Sequence, residues 1–196
     1  LSFTSMFDQT QESMYYLRCA NKLASGLGIS GAFNESTTSR LESNLQNRDS
    51  LLNIISDSYW TTDAYLKDNG QPGVSALIVA GGWIEGLYIG TQIAKTTQNK
   101  EVITRIGEQK LSLENLIGLL ESYKADNAGI VAILNSLTEF NALYTNVSAP
   151  NKSTEASTDK KNNVTTLDNG STFELTPEQL KAISDKVSDI RNKIIQ

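Results

Sequence analysis

The chain has 196 residues, 39% of them apolar, and a formal net charge of −5, which is enough for one packed domain or one domain with an appendage. Phosphate binding requires clustered Lys and Arg, and the only adjacent basic pair is Lys160-Lys161, so we predict no nucleic-acid partner. The mild acidity mainly favours solubility.

Cys19 is the only cysteine, and the chain contains no histidine. A single cysteine forms no internal disulfide and no thiolate metal cluster. The lack of histidine removes the usual general base and the commonest metal ligand. We therefore predict no catalytic residue, no metal site and no cofactor.

Helical periodicity runs through most of the chain. The first predicted helix covers about 3–24 and stops at Gly26-Leu27-Gly28, because helices often end at glycine. The second covers about 40–68, where Ser39 and Glu42 form a capping-box pattern. The predicted apolar positions of these two helices are Phe3, Phe7, Met14, Leu17, Ala24, Leu41, Leu45, Leu52, Ile55, Tyr59 and Leu66.

Three further helices are predicted in the middle of the chain. The third covers about 72–97, with Pro72 suited to its first turn, and the fourth covers about 100–123. The fifth covers about 127–147, with Asp126 as the predicted N-cap. The apolar positions of the fourth and fifth helices are Ile103, Ile106, Leu113, Ile117, Leu120, Ile130, Ile133, Leu134, Leu137, Phe140 and Tyr144.

The composition changes at 148–172, which is nearly all Ser, Thr, Asn, Asp and Lys and is typical of a polar surface linker. Within it, the segments 164–167 and 172–175 flank Asp168-Asn169-Gly170, a pattern that favours a short hairpin.

The sixth helix has the clearest start. Thr176 is the predicted N-cap, Pro177 takes the first position and Gln179 completes a capping box. One apolar seam follows, which needs a partner surface: Leu180, Ile183, Val187, Ile190 and Ile194.

Six amphipathic helices joined mainly by short loops predict an all-α fold, an antiparallel helical bundle. We expect a single domain over 1–196. It would contain a five-helix core at 1–147, the polar linker at 148–175 and a C-terminal helix at 176–196 that packs on the core.

The most apolar run, VSALIVAGGWIEGLYIGTQIA at 74–94, is long enough to span a membrane. Glu85 near its middle would cost roughly 2.5–3.5 kcal/mol in lipid, and no basic cluster flanks the run. The other five helices also need an apolar partner. We therefore favour the central helix of a soluble core over a membrane span.

Three glycines in this run, Gly82, Gly86 and Gly90, are spaced by four and share one helix face. Glycine weakens a helix by about 1 kcal/mol relative to alanine, so a compensation is expected. We favour close approach of a neighbouring helix, which predicts that Gly86→Leu lowers the melting temperature sharply. The alternative is a groove that admits a ligand against the helix backbone.

Glu85 is the one charged residue of the run 74–94. A buried carboxylate must be paired or hydrogen-bonded, or it takes up a proton. Tyr88, or an Arg or Tyr from another helix, could supply the partner, and an exposed edge of the helix is also consistent. The functional alternative is a ligand-binding acid, and the candidate binding residues are then Trp83, Glu85 and Tyr88.

The run ALIVAGGWIEGLYIGTQIA at 76–94, which follows Tyr59-Trp60 and the Pro72-Gly73 loop, resembles a family of uncharacterised exported helical proteins and lipoproteins of Bacteroides-type bacteria. The resemblance implies an exported protein of the periplasm or cell envelope. It also implies an acylated or cleaved N-terminus upstream of Leu1, so that membrane contact is made only through a lipid anchor outside this chain. The family has no assigned activity, so no catalytic residue is implied.

These observations favour a non-enzymatic cell-envelope helical protein, a binding or structural module for an unknown protein or small-molecule partner. One alternative is a small-molecule sensory bundle with a pocket near 82–90, which a cavity beside Glu85 would favour. The least favoured alternative is a hydrolase that uses carboxylates alone, since active sites so often use histidine. Two carboxyl groups about 5–10 Å apart across a cleft would favour it.

Overall fold

The structure is a computed structural model that describes residues 2–26, 28, 30, 35–44, 47–147, 155–159, 164–168 and 173–196. The fold is all-α, a helical bundle with one small hairpin before the last helix. The helices are α1 (Ser2–Met6), α2 (Thr10–Gly26), α3 (Glu35–Ser43), α4 (Arg48–Asp68), α5 (Pro72–Thr97), α6 (Lys100–Ser122), α7 (Ala128–Asn141) and α8 (Pro177–Ile195). A 3₁₀ turn at Ala142–Tyr144 follows α7.

Contacts divide the chain into two compact units, Leu1–Ser75 and Ala76–Gln196, and the boundary falls in the first turn of α5. Each unit buries an apolar cluster of its own. The organisation of 1–196 as a single domain stays a prediction.

The predicted first helix is broken into α1 and α2 at residues 7–9. Asp8 has φ +54°, a left-handed conformation that aspartate tolerates better than most residues and that ends α1. The break turns Phe3 and Phe7 away from the buried face, and their rings pack against each other with centroids 4.8 Å apart. Leu17 is buried as predicted.

The predicted second helix is also two helices. α3 begins at Glu35, so Ser39 lies inside it, and Leu45 lies outside the described residues. Asn47 caps α4 by accepting a hydrogen bond from the Ser50 N–H at 3.0 Å. The buried residues of α4 are Leu51, Ile54, Ser58, Thr62 and Leu66. Leu66 is buried as predicted, whereas Leu52, Ile55 and Tyr59 are each one residue away from the buried face.

In the second unit, α5 runs antiparallel to both α6 and α8. Between α5 and α6, Trp83 is hydrogen-bonded to Gln109, and a Cβ atom added to Gly90 would stand 3.9 Å from the Ile106 Cγ1. Contacts from α5 to α8 pair Glu85 with Arg191 and Lys95 with Asp185. Residue numbers rise along α5 where they fall along α6 and α8, so α5 runs in the opposite direction to both, as in an antiparallel bundle.

The core of this unit contains most of the predicted apolar positions. Its largest fully buried side chains are Ile84, Leu113, Leu120, Ile130, Leu137, Phe140, Tyr144 and Ile183. Tyr144 donates a hydrogen bond from its hydroxyl to the Ile106 carbonyl at 3.0 Å, and burial raises the pKa of that hydroxyl.

Helix ends in the second unit are close to those predicted. Asn127, one residue after the predicted Asp126, caps α7 by accepting from the Gly129 N–H at 2.7 Å. Thr176 and Gln179 form the predicted capping box at the start of α8.

A close backbone contact lies just before α8. A Cβ atom added to Gly107 of α6 would stand 2.7 Å from the Phe173 Cβ. Glycine at this position therefore lets the segment that enters α8 lie against α6.

The hairpin pairs β1 (Glu155–Asp159) with β2 (Val164–Asp168), antiparallel, with Glu155 opposite Asp168. The predicted strand at 164–167 is confirmed, but the predicted partner at 172–175 is wrong, since Phe173 to Leu175 are not in a strand. Thr172 and the predicted turn residues Asn169 and Gly170 lie outside the described residues.

Candidate functional site

The apolar helix α5 is buried on one face only. Its buried hydrophobic residues are Ala76, Ala80, Ile84, Leu87 and Ala94. Within the most apolar 18-residue window, 33% of the residues are buried. Among the described residues, α5 is the one helix long and apolar enough to cross a membrane, a test that core helices of soluble proteins also pass. The predicted central helix therefore contributes to the core with one face and leaves the rest of its apolar surface partly exposed.

The glycine row of α5 does not mediate the close helix contact that we expected. Gly82 and Gly86 are exposed, and no heavy atom of the described chain lies within 4 Å of where a Gly86 Cβ would stand. At Gly90, the nearest atom is the Ile106 Cγ1 at 3.9 Å, an ordinary van der Waals distance. The row instead forms the floor of an open groove, the alternative that the spacing left open.

This glycine groove has a volume of about 310 Å³. It lies between α5 and α6, and its lining residues are Gly82, Trp83, Gly86, Leu87, Gly90, Val102, Arg105, Ile106 and Gln109. The volume is at the lower end of the range for small-molecule sites, roughly 300–1,000 Å³. An apolar lining with few polar groups is also typical of such sites.

Trp83 is held in place at the groove by two contacts. Its indole Nε1 donates a hydrogen bond to the Gln109 Oε1 at 3.1 Å. Its ring meets Phe140 edge-on, with centroids 6.0 Å apart. The amide of Gln109 is also used on its other side, because its Nε2 donates to the Arg105 carbonyl at 3.2 Å.

Glu85 forms an ion pair with α8, away from the groove. Arg191 donates from Nε to the Glu85 Oε2 at 2.6 Å and from Nη2 to the Glu85 Oε1 at 3.1 Å. The Arg191 Cζ also lies 4.5 Å from the centre of the Tyr88 ring, a cation–π contact. The partner of the carboxylate is therefore an arginine from another helix, one of the possibilities that the sequence offered. The Glu85 side chain is still 45% exposed.

The structure thus separates the three predicted binding residues. Trp83 lines the glycine groove, whereas Glu85 and Tyr88 do not line it and contact Arg191. Arg105 and Gln109 line the groove but were not predicted from the sequence. Their spacing of four on α6 was a usable signal, but only the fold shows that this face of α6 lies beside the glycines of α5.

None of the protein-family models, curated proteins and solved structures compared with the chain matches it. Within the described ranges, no three Asp, Glu or Cys side chains are grouped so that they could hold a metal ion. The function must therefore be argued from the glycine groove itself.

Proposed function

We propose that this protein is a non-enzymatic helical binding module that holds a small, mainly apolar molecule in the glycine groove. The proposed location is the cell envelope, with the chain exported. The support for that location is the resemblance of residues 76–94 to exported helical proteins and lipoproteins of Bacteroides-type bacteria.

The observation that carries the binding proposal is the open space above Gly86. Glycine inside a helix lowers its stability by about 1 kcal/mol relative to alanine. Packing within the described chain does not explain the glycine, since no heavy atom there lies within 4 Å of the position that a Gly86 Cβ would occupy. Gly118 also has open space and does not line the glycine groove, so open space alone indicates no ligand. The place of Gly86 on the floor of the groove is what favours a ligand lying against the helix backbone.

The size of the groove indicates the size of the ligand. A volume of about 310 Å³ is at the lower end of the range for small-molecule sites, so we expect a small ligand of about ten non-hydrogen atoms. Octanoate and octanamide are matched probes of about this size, one anionic and one neutral.

Binding can be followed by tryptophan fluorescence. The chain has two tryptophans, so Trp60→Phe leaves Trp83 as the only one. Trp60 is 74% exposed, which makes this replacement mild. We expect saturable changes in Trp83 emission on titration with octanoate, with one ligand bound per chain.

Gly86→Leu, made in the Trp60→Phe background, should fill the groove and abolish these changes. Gly118→Leu is the matched control, because Gly118 is also an exposed helical glycine with open space around it, and it lies on α6 outside the groove. Retained binding in the control and lost binding in Gly86→Leu support the proposal. If neither probe binds, or if Gly86→Leu binds as well as its parent, the proposal is wrong.

A further inference from the structure

We infer that the ligand of the glycine groove is a small amphipathic anion of about ten non-hydrogen atoms, an apolar body that ends in a carboxylate. This inference rests on the proposed function and adds the chemical class of the ligand.

Arg105 is the one charged residue among those that line the groove. The other polar side chain, Gln109, already uses both ends of its amide, one with Trp83 and one with the Arg105 carbonyl. The guanidinium of Arg105 is therefore the polar group best able to orient a ligand.

The guanidinium retains donors for a ligand. Its Nη1 donates to the Glu108 Oε2 at 2.7 Å, but a guanidinium carries five N–H donors in a planar fork. The side chain of Arg105 is 79% exposed, and an exposed ion pair between neighbouring turns of a helix is weak. A ligand carboxylate can therefore share or replace Glu108, because the fork matches two carboxylate oxygens.

The attraction is local to Arg105. The chain as a whole has a formal net charge of −5, which does not attract anions from a distance. Recognition therefore depends on an anion whose apolar body fits the groove while its charged end meets the guanidinium. This combination excludes small inorganic anions, which lack the apolar body.

The test compares octanoate with octanamide, which have the same chain and nearly the same shape but differ in charge. In the Trp60→Phe background, octanoate should bind about threefold more tightly, the size expected for a charge pair with an exposed guanidinium. Arg105→Gln should reduce octanoate binding to the level of octanamide and leave octanamide unchanged. Glu108→Gln, which removes the competing carboxylate, should tighten octanoate binding a few-fold.

Arg40→Gln is the matched control, because Arg40 is also an exposed arginine that faces a carboxylate, Asp57, but it lies in the first unit. It should change neither affinity. Equal binding of the two probes, or octanoate binding that Arg105→Gln does not weaken, would overturn the anion inference and leave the groove as a site for neutral apolar ligands. Failure of both probes to bind would instead remove the proposed function itself.

Discussion

Arg191 of α8 and Glu85 of α5 are joined by two hydrogen bonds although 106 positions separate them in the chain. The same guanidinium lies over the Tyr88 ring. Both contacts need a planar group that donates on one edge and stacks on its face, which arginine provides and lysine does not. These contacts fix one register between α5 and α8.

Arg191→Lys should therefore weaken the fold even though it keeps the charge. We expect the free energy of unfolding to fall by about 0.5–1 kcal/mol, since the pair is partly exposed. Urea denaturation of this variant, of Glu85→Gln and of the double variant measures the coupling between the two positions. Strictly additive effects would show that the arginine geometry of this contact contributes nothing to stability.

Gly86→Ala should raise stability. The space for a Cβ atom is open, so the gain in helix propensity of about 0.5–1 kcal/mol is not opposed by a clash. Thermal unfolding should show a melting temperature higher by a few degrees. A clear fall would mean that another surface packs tightly on this glycine, as we first expected from the sequence.

Gly107→Ala should have the opposite effect. The added Cβ would stand 2.7 Å from the Phe173 Cβ and 3.3 Å from the Phe173 carbonyl oxygen, so backbone must move. Overpacking of this kind typically costs about 1–3 kcal/mol. The fall should appear in both thermal and urea unfolding.

Gly118→Ala is the control for this change, because it places the same atom on the same helix with open space around it. It should be neutral or slightly stabilising. If the two variants behaved alike, the close contact between Gly107 and Phe173 would not exist in solution.

The helices from α5 onward were predicted closely because their ends carry strong local signals. Pro72 begins α5, and the Thr176 capping box begins α8. Breaks in the first unit were missed because neither contains Gly or Pro. The first break lies at Asp8, which has a left-handed backbone, and the second lies before Asn47, which caps a new helix. The apolar residues keep helical spacing across both breaks, so the sequence predicted continuous helices.

The site was harder to predict than the fold. The sequence identified Trp83 and the glycine row but placed Glu85 and Tyr88 with them. A one-dimensional pattern does not show which helix packs on each side of α5. That α6 lies beside the glycines and Arg191 beside Glu85 follows from tertiary packing alone.

The first unit gives a prediction of pH dependence. Hydrogen bonds from Lys67 and then Ser75 lower the pKa of Asp63 below its ordinary value of 3.8. A carboxyl whose pKa is lower in the folded chain stabilises the fold above pH 3.8, and this stabilisation is lost as the pH falls through the folded value. Asp63→Asn should therefore lower the melting temperature by about 1–3 °C at neutral pH and by less at an acidic pH below 3.8.

Asp57→Asn is the control for the pH experiment. Asp57 lies on the same helix and faces Arg40 at 4.0 Å, with 69% of its side chain exposed, so its removal should change stability little at either pH. An effect of Asp63→Asn that was equal at both pH values would argue against a role for the Asp63 charge.

The most direct measurement of the central claim is a titration of ¹⁵N-labelled protein with octanoate, followed by NMR chemical shifts. If the glycine groove is the binding site, the largest changes will be in the indole N–H of Trp83 and in the backbone amides of Gly82, Gly86 and Gly90. If these signals stay fixed at saturating octanoate, or if the changes lie only outside α5 and α6, the groove is not a binding site.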